Sequence, residues 1–134
     1  MQDIIKKDIL SVLSDLAAIL REKDESDAAE IRLLSNRVIH NASIFQDEDS
    51  ISIAVLTYAL SKIIEMKKMD IDYGRISGMI KSAIMFLKND QEEPFRSSIK
   101  KMFDFIRALD KKIKKLNFSL STKLNATHWL QQLP

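Results

Sequence analysis

The sequence predicts an all-α fold: a mainly antiparallel bundle of four to five long helices, followed by a short C-terminal helix. Three observations carry this expectation. Glycine and proline number only two each in 134 residues, far fewer breakers than the turns of a β-fold this size require. Apolar residues recur at intervals of three and four along most of the chain, the spacing that lines one face of an α-helix. Finally, 46 % apolar and 30 % charged residues supply a core and a solvated surface, which excludes both a disordered acidic tail and a membrane protein. The chain is long enough to bury its own core as a single domain, residues 1–134.

The first helix is expected from Asp3 to Lys23. Its Ile5, Ile9, Val12, Leu16 and Ile19 form a seam, which Leu13 and Leu20 widen into a globular face. A charged run, Arg21 to Asp27, ends that pattern, and Ser26 or Asp27 is placed to cap the next helix, with Glu30 at capping-box distance from Asp27. The second helix covers Ala28 to Phe45. Ile31, Leu34, Val38, Ala42 and Phe45 line one stripe, while Leu33, Arg37, His40 and Ile44 line a second, mixed one. Two faces imply neighbours on both sides. The acidic turn Gln46 to Ser50 offers Asp47 or Asp49 as the next cap.

The third helix, Ser50 to Lys68, is apolar on nearly every side and reads as the central one. Lys62 and Glu65 interrupt it too soon for a bilayer span. The fourth runs from Asp70 or Asp72 to Asn89, with Tyr73, Ile76, Ile80, Ala83 and Leu87 facing the core. Gly74, Gly78 and Ser82 repeat every four residues, a smooth strip where a second helix could cross closely. A glycine inside a helix costs about 1 kcal/mol, so two on one line call for a packing reason, within the chain or between two copies. The fifth helix, Pro94 to Leu116, has the cleanest seam: Phe95, Ile99, Met102, Ile106, Leu109, Ile113 and Leu116. Pro94 suits its first turn, where the missing N–H costs nothing. Ser121 to Gln132 reads as the short last helix, and residues 119–134 as a docking tail.

The absence of cysteine removes disulfides, thiolate nucleophiles and Cys-based metal sites. Charges mixed into Met1 to Asp8 do not make a signal peptide, so the expected compartment is the cytoplasm. Charge is uneven: residues 1–49 hold six Lys/Arg against eleven Asp/Glu, and residues 92–134 hold nine against four. Either the terminal helices neighbour and attract one another, or the basic end meets an acidic partner.

Three constellations stand apart from the core pattern. Arg37, His40 and Asn41, followed by Asp47, Glu48 and Asp49, gather histidine, amide and carboxylates. Acid–base chemistry uses such groups, but Asp47 lies nearly two turns from His40, so a structural network or binding surface is the simpler reading. Asp47-x-Asp49 lacks the glycine of a calcium loop. The second constellation is basic: Lys100, Lys101, Arg107, Lys111, Lys112, Lys114 and Lys115 are what phosphate contacts require. They point several ways around the helix, however, and no aromatic platform accompanies them. The third is Trp129 beside Leu130, able to anchor the tail on its own bundle or on a partner.

The stretch Ile39 to Val55, continuing through Tyr58-Ala-Leu-Ser-Lys62, resembles a family of small uncharacterised archaeal all-helical proteins. The resemblance covers about a fifth of the chain and implies a soluble intracellular protein without a defined activity. An arginine and a histidine on a helix of a small bundle also resemble the HEPN ribonuclease family, whose motif separates the two by about four to six residues. Here only two residues separate Arg37 from His40, and seven separate Arg32 from His40. The catalytic motif is therefore absent, although a HEPN-like architecture is compatible.

The resulting expectation is a non-enzymatic helical interaction or assembly module. It needs neither cofactor nor metal, does not insert in membranes, and has a protein partner or a second copy as its ligand. Candidate contact residues are Arg37, His40, Asn41, Gly74, Gly78, Ser82 and Trp129. The alternative is a nucleic-acid-associated protein using the basic fifth helix.

Overall fold

The apolar seams become five α-helices in the computed structural model, which describes residues 1–21, 26–66 and 72–109. They are α1 (Asp3–Arg21), α2 (Ser26–Phe45), α3 (Glu48–Met66), α4 (Tyr73–Lys88) and α5 (Glu92–Leu109). The described residues form an all-helical fold without strands. None of these helices is long and apolar enough to cross a membrane. The expected end of the fifth helix at Leu116, the short last helix and the tail with Trp129 lie outside the described residues.

Local chemistry sets the boundaries. α3 begins two residues before Ser50 because Asp47 is its cap: the Asp47 carboxylate accepts the amides of Asp49 at 3.1 Å and Ser50 at 3.3 Å. Asp72 does the same for α4, accepting the Arg75 amide at 3.0 Å. The α4–α5 turn is a Schellman closure, with the amides of Asp90 and Gln91 donating to the carbonyls of Leu87 and Phe86. It places Asp90 in the left-handed region at φ 56°. Gln46 takes the same conformation, φ 52°, between α2 and α3. α2 is already helical at Ser26, and α5 starts at Glu92, which leaves Pro94 in its first turn.

α3 is the central helix. Ile51, Ile53, Ala54, Val55, Leu56, Thr57, Ala59, Leu60, Ser61, Ile63 and Ile64 are all buried, and the Thr57 hydroxyl donates to the Ile53 carbonyl inside its own helix. Against α3 pack α2, α5 and, more lightly, α1; α4 packs on α1 and α5. The cross-links between α1 and α4 join Lys6 to Asp90 and Ser77 to the Ala17 carbonyl, so these helices run in opposite directions. Asn41 to Asp8 and Arg37 to Asp15 show the same for α1 and α2. Where their burial is described, the predicted seams are buried nearly throughout; Ile19, Phe45 and Tyr73 are only partly covered, and Phe103 joins the core from beside the fifth seam.

One expectation is met only in part and another fails within the chain. The mixed stripe of α2 meets α1 at Arg37, through Asp15, but leaves Leu33 70 % and Ile44 64 % exposed. Among the described residues the strip on α4 is not a close crossing. A Cβ at Gly78 would meet nothing within 4 Å, and one at Gly74 only the Asp72 carboxylate at 3.5 Å. Small side chains are buried elsewhere, at Ser35 and Ala42 on α2 and at Ala54 and Ser61 on α3, the two helices that pack together most extensively.

Candidate functional site

The outer surface of α1 and α2 gathers most of the residues that the core does not explain. On α2, at 100° per residue, Leu33, Arg37, His40 and Ile44 fall within one narrow outward stripe. Arg37 Nη2 donates to Asp15 Oδ2 at 2.9 Å, and Asn41 Nδ2 donates to Asp8 Oδ1 at 2.9 Å. These two rungs tie α2 to α1 across the face. His40 is exposed, and its carbonyl accepts the Ser43 hydroxyl at 2.6 Å.

Around the rungs the face is apolar. Ile44 stands at one end, and Ile4 of α1, 63 % exposed, lies one turn before the Asp8 that Asn41 holds there. At the other end lies an open hollow of ≈ 420 Å³, lined by Asp15, Ile19, Glu30, Leu33, Leu34 and Arg37. Isolated exposed aliphatic residues are ordinary on any protein. Here, though, three of the four large hydrophobics exposed among the described residues lie on α1 and α2, the fourth being Met85 on α4.

The acidic turn that sits beside His40 in the sequence is spent on structure. Asp47 caps α3, and Asp49 receives Nε and Nη2 of Arg96 at 3.0 Å each, a bidentate pair. That contact, more than any other, raises the Arg96 pKa above its ordinary value. Nearby, a hydrogen bond from the Met1 amine, at 2.7 Å, holds Glu92 below the usual carboxylate range, and one from Lys6 does the same for Asp90. Arg32 likewise lowers Glu65 through a hydrogen bond of 2.8 Å between α2 and α3. No group of three or more His, Cys, Asp or Glu among the described residues could hold a metal ion.

The other candidates are scattered. Ser82 and Lys101, unrelated in sequence, meet in a groove between α4 and α5 with Met79, Phe86 and Ser98. Gly74 and Gly78 are exposed on α4. Lys100 and Lys101 are exposed on α5, whereas Arg107 is half-buried with its Nε unpartnered. Asp104 interrupts this basic surface. Lys111, Lys112, Lys114, Lys115 and Trp129 lie outside the described residues. Ile4, Asp8 and Asp15 were not candidates from the sequence. Their signal was available only in part, because α1 carries them on the edge that turns toward α2.

No family model, no curated protein and no solved structure matches the chain. Fold and face together define a five-helix all-α chain, among the described residues, with one outward surface that is apolar at both ends and polar in the middle.

Proposed function

We propose that this chain is a non-enzymatic helical interaction module and that its contact face is the outer surface of α1 and α2. One observation carries the reading. Leu33 and Ile44 stand 70 % and 64 % exposed on a single stripe, bracketing Arg37 and His40. Leaving two large aliphatic side chains in water forgoes about 1.5–3 kcal/mol each, and a partner that covers them recovers it. Arg37, already held by Asp15, gives such a partner an oriented cation at the centre of the contact. A bundle whose α1 runs opposite to both α2 and α4 presents this face on two adjoining helices. The resemblance of residues 39–62 to small archaeal helical proteins, and a cysteine-free composition suited to a reducing cytoplasm, accord with an intracellular module of this kind.

The test is comparative capture from an extract of the native host, using the wild-type chain and the Ile44→Asp variant as baits. The wild type should retain a partner that the variant loses while its far-UV circular dichroism stays unchanged. Identical partner sets from both baits would sink the reading. The exposed Lys100 and Lys101 favour one alternative, a nucleic-acid contact on α5. Binding to RNA or DNA that weakens steeply with salt would support it, and no binding at low salt would end it.

A further inference from the structure

We propose that the α1–α2 face binds a second copy of this chain, with α2 lying antiparallel to α2 of the other copy about a two-fold axis level with Val38 and Ile39. This rests on the reading of the face as a contact surface and names its occupant.

The argument begins with the order of the stripe. Leu33, Arg37, His40 and Ile44 are spaced four, three and four apart, with apolar residues outside and polar ones inside. That order is unchanged when read backwards. Two antiparallel copies therefore set Leu33 against Ile44 of the other chain at both ends, and Arg37 against His40 of the other chain in the middle. The alternation of three and four is also the spacing at which helices mesh side by side.

The relief of the face fits the same operation. Its hollow lies at the Leu33 end, where Ile19 and Leu34 complete an apolar floor. Its projection is Ile44 at the other end, and the exposed Ile4 of α1 is placed toward that end by the Asp8–Asn41 bond. Ile4 precedes Asp8 by one turn and Ile44 follows Asn41 by almost one turn, and the Asp8–Asn41 hydrogen bond holds the two helices in register there. Hollow and projection are eleven residues apart on α2, about 16 Å along the helix. A two-fold axis midway between them places each projection over the other copy's hollow. Such self-complementarity is what a closed, isologous dimer requires, whereas an unrelated partner imposes no reverse symmetry on the stripe.

In the middle of the face the charges permit closure, while the exposed Glu30 beside the hollow keeps its carboxylate at the solvated rim. Arg37 is paired with Asp15 at 2.9 Å and Asp8 accepts from Asn41 at 2.9 Å, so covering the middle of the face strands neither ion without a partner, the arrangement that is most costly at an interface.

The experiment uses the full chain, which contains no native cysteine. Two variants, Leu33→Cys and Ile44→Cys, are prepared separately, mixed in equal amounts and oxidised. The antiparallel register predicts a disulfide-linked dimer in the mixture and none in either variant alone, because a disulfide needs Cα atoms within roughly 7 Å. Sedimentation equilibrium should give a dimer mass for the wild type. The Ile44→Asp variant should dissociate at concentrations at least about 100-fold higher, since the symmetry introduces the buried charge twice. Its circular dichroism should be unchanged. A monomer mass for the wild type at the highest attainable concentration overturns the proposal. So does coupling of Leu33→Cys with itself, or a dimer that Ile44→Asp leaves intact. If the wild type is monomeric and still captures a different protein that Ile44→Asp releases, the self-association falls while the contact-face reading stands. If it is monomeric and captures nothing through this face, both fall.

Discussion

At one end of the bundle, Asp49, Asp90 and Glu92 meet Arg96, Lys6 and the Met1 amine. Along the outer face of α1 and α2, Asp8 and Asp15 meet Asn41 and Arg37. Both sets pair carboxylates with nitrogen donors, and in both places they link helices. What differs is the company they keep. The first set joins the starts of α1, α3 and α5 to the end of α4, and Asp49 is itself mostly covered, with 13 % of its side chain exposed. The second set is flanked by Leu33, Ile44 and an open hollow. Crowded charges alone therefore do not set the two regions apart. Unburied apolar side chains beside satisfied polar ones do, and on the proposal above they mark the contact face.

Both regions depend on α3, so a core lesion there sets the scale. Leu56 is fully buried, and Leu56→Ala should cost about 3 kcal/mol, read as a lower midpoint in urea with both regions lost together. The ion-paired end should give a smaller loss. Arg96→Met removes the bidentate partner of Asp49 but leaves an exposed position filled; about 1 kcal/mol is expected, discounted because the arginine is itself 45 % exposed. Equal stability of this variant and the wild type would reduce the charged end to decoration.

Acid should erase part of the same stitching. Glu92, Asp90 and Glu65 are held below the ordinary carboxylate range by the Met1 amine, Lys6 and Arg32 respectively. A carboxylate whose pKa is lower folded than unfolded adds stability above its unfolded value, and that contribution disappears as pH falls through the folded value. Urea midpoints should thus be flat from neutrality down to the ordinary carboxylate range and decline below it. A midpoint that rises on acidification would contradict the assignment.

The comparison also explains how much the sequence could reveal. Caps are local, so Asp47 and Asp72 were within reach of spacing rules, as were the seams that became the core. Periodicity groups residues by face, but it does not say whether anything covers that face. This is why the α2 stripe suggested a second neighbour and met one, α1, only at Arg37, with Leu33 and Ile44 left in solvent. The glycine strip has the same logic: small residues allow a close approach without compelling one. The Arg96–Asp49 pair spans 47 residues, beyond any local rule. Phe103 escaped because α5 packs on both α3 and α4, which demands a buried face wider than its seam.

Gly78 separates the α4 strip from the α2 face as rival surfaces. A methyl group there meets nothing within 4 Å, so Gly78→Ala should raise stability by up to about 0.8 kcal/mol through helix propensity and leave association unchanged. A gain in the dilute monomer accompanied by weaker self-association would shift the interface to α4.

The smallest stability effect belongs to the residues given the largest functional weight. Leu33→Ser and Ile44→Ser, measured in dilute protein where copies are apart, should each change the urea midpoint by less than about 0.5 kcal/mol equivalent. Neither side chain contributes much to the folded monomer, because both stay in water before and after folding. If either substitution instead costs as much as the Arg96 variant, that residue is supporting its own bundle through Ile19, Leu34 or Ile4, and the hollow is part of the fold. A negligible cost in the monomer combined with a large loss in association would distinguish the two regions physically: one holds the helices together, and the other is left uncovered until something docks.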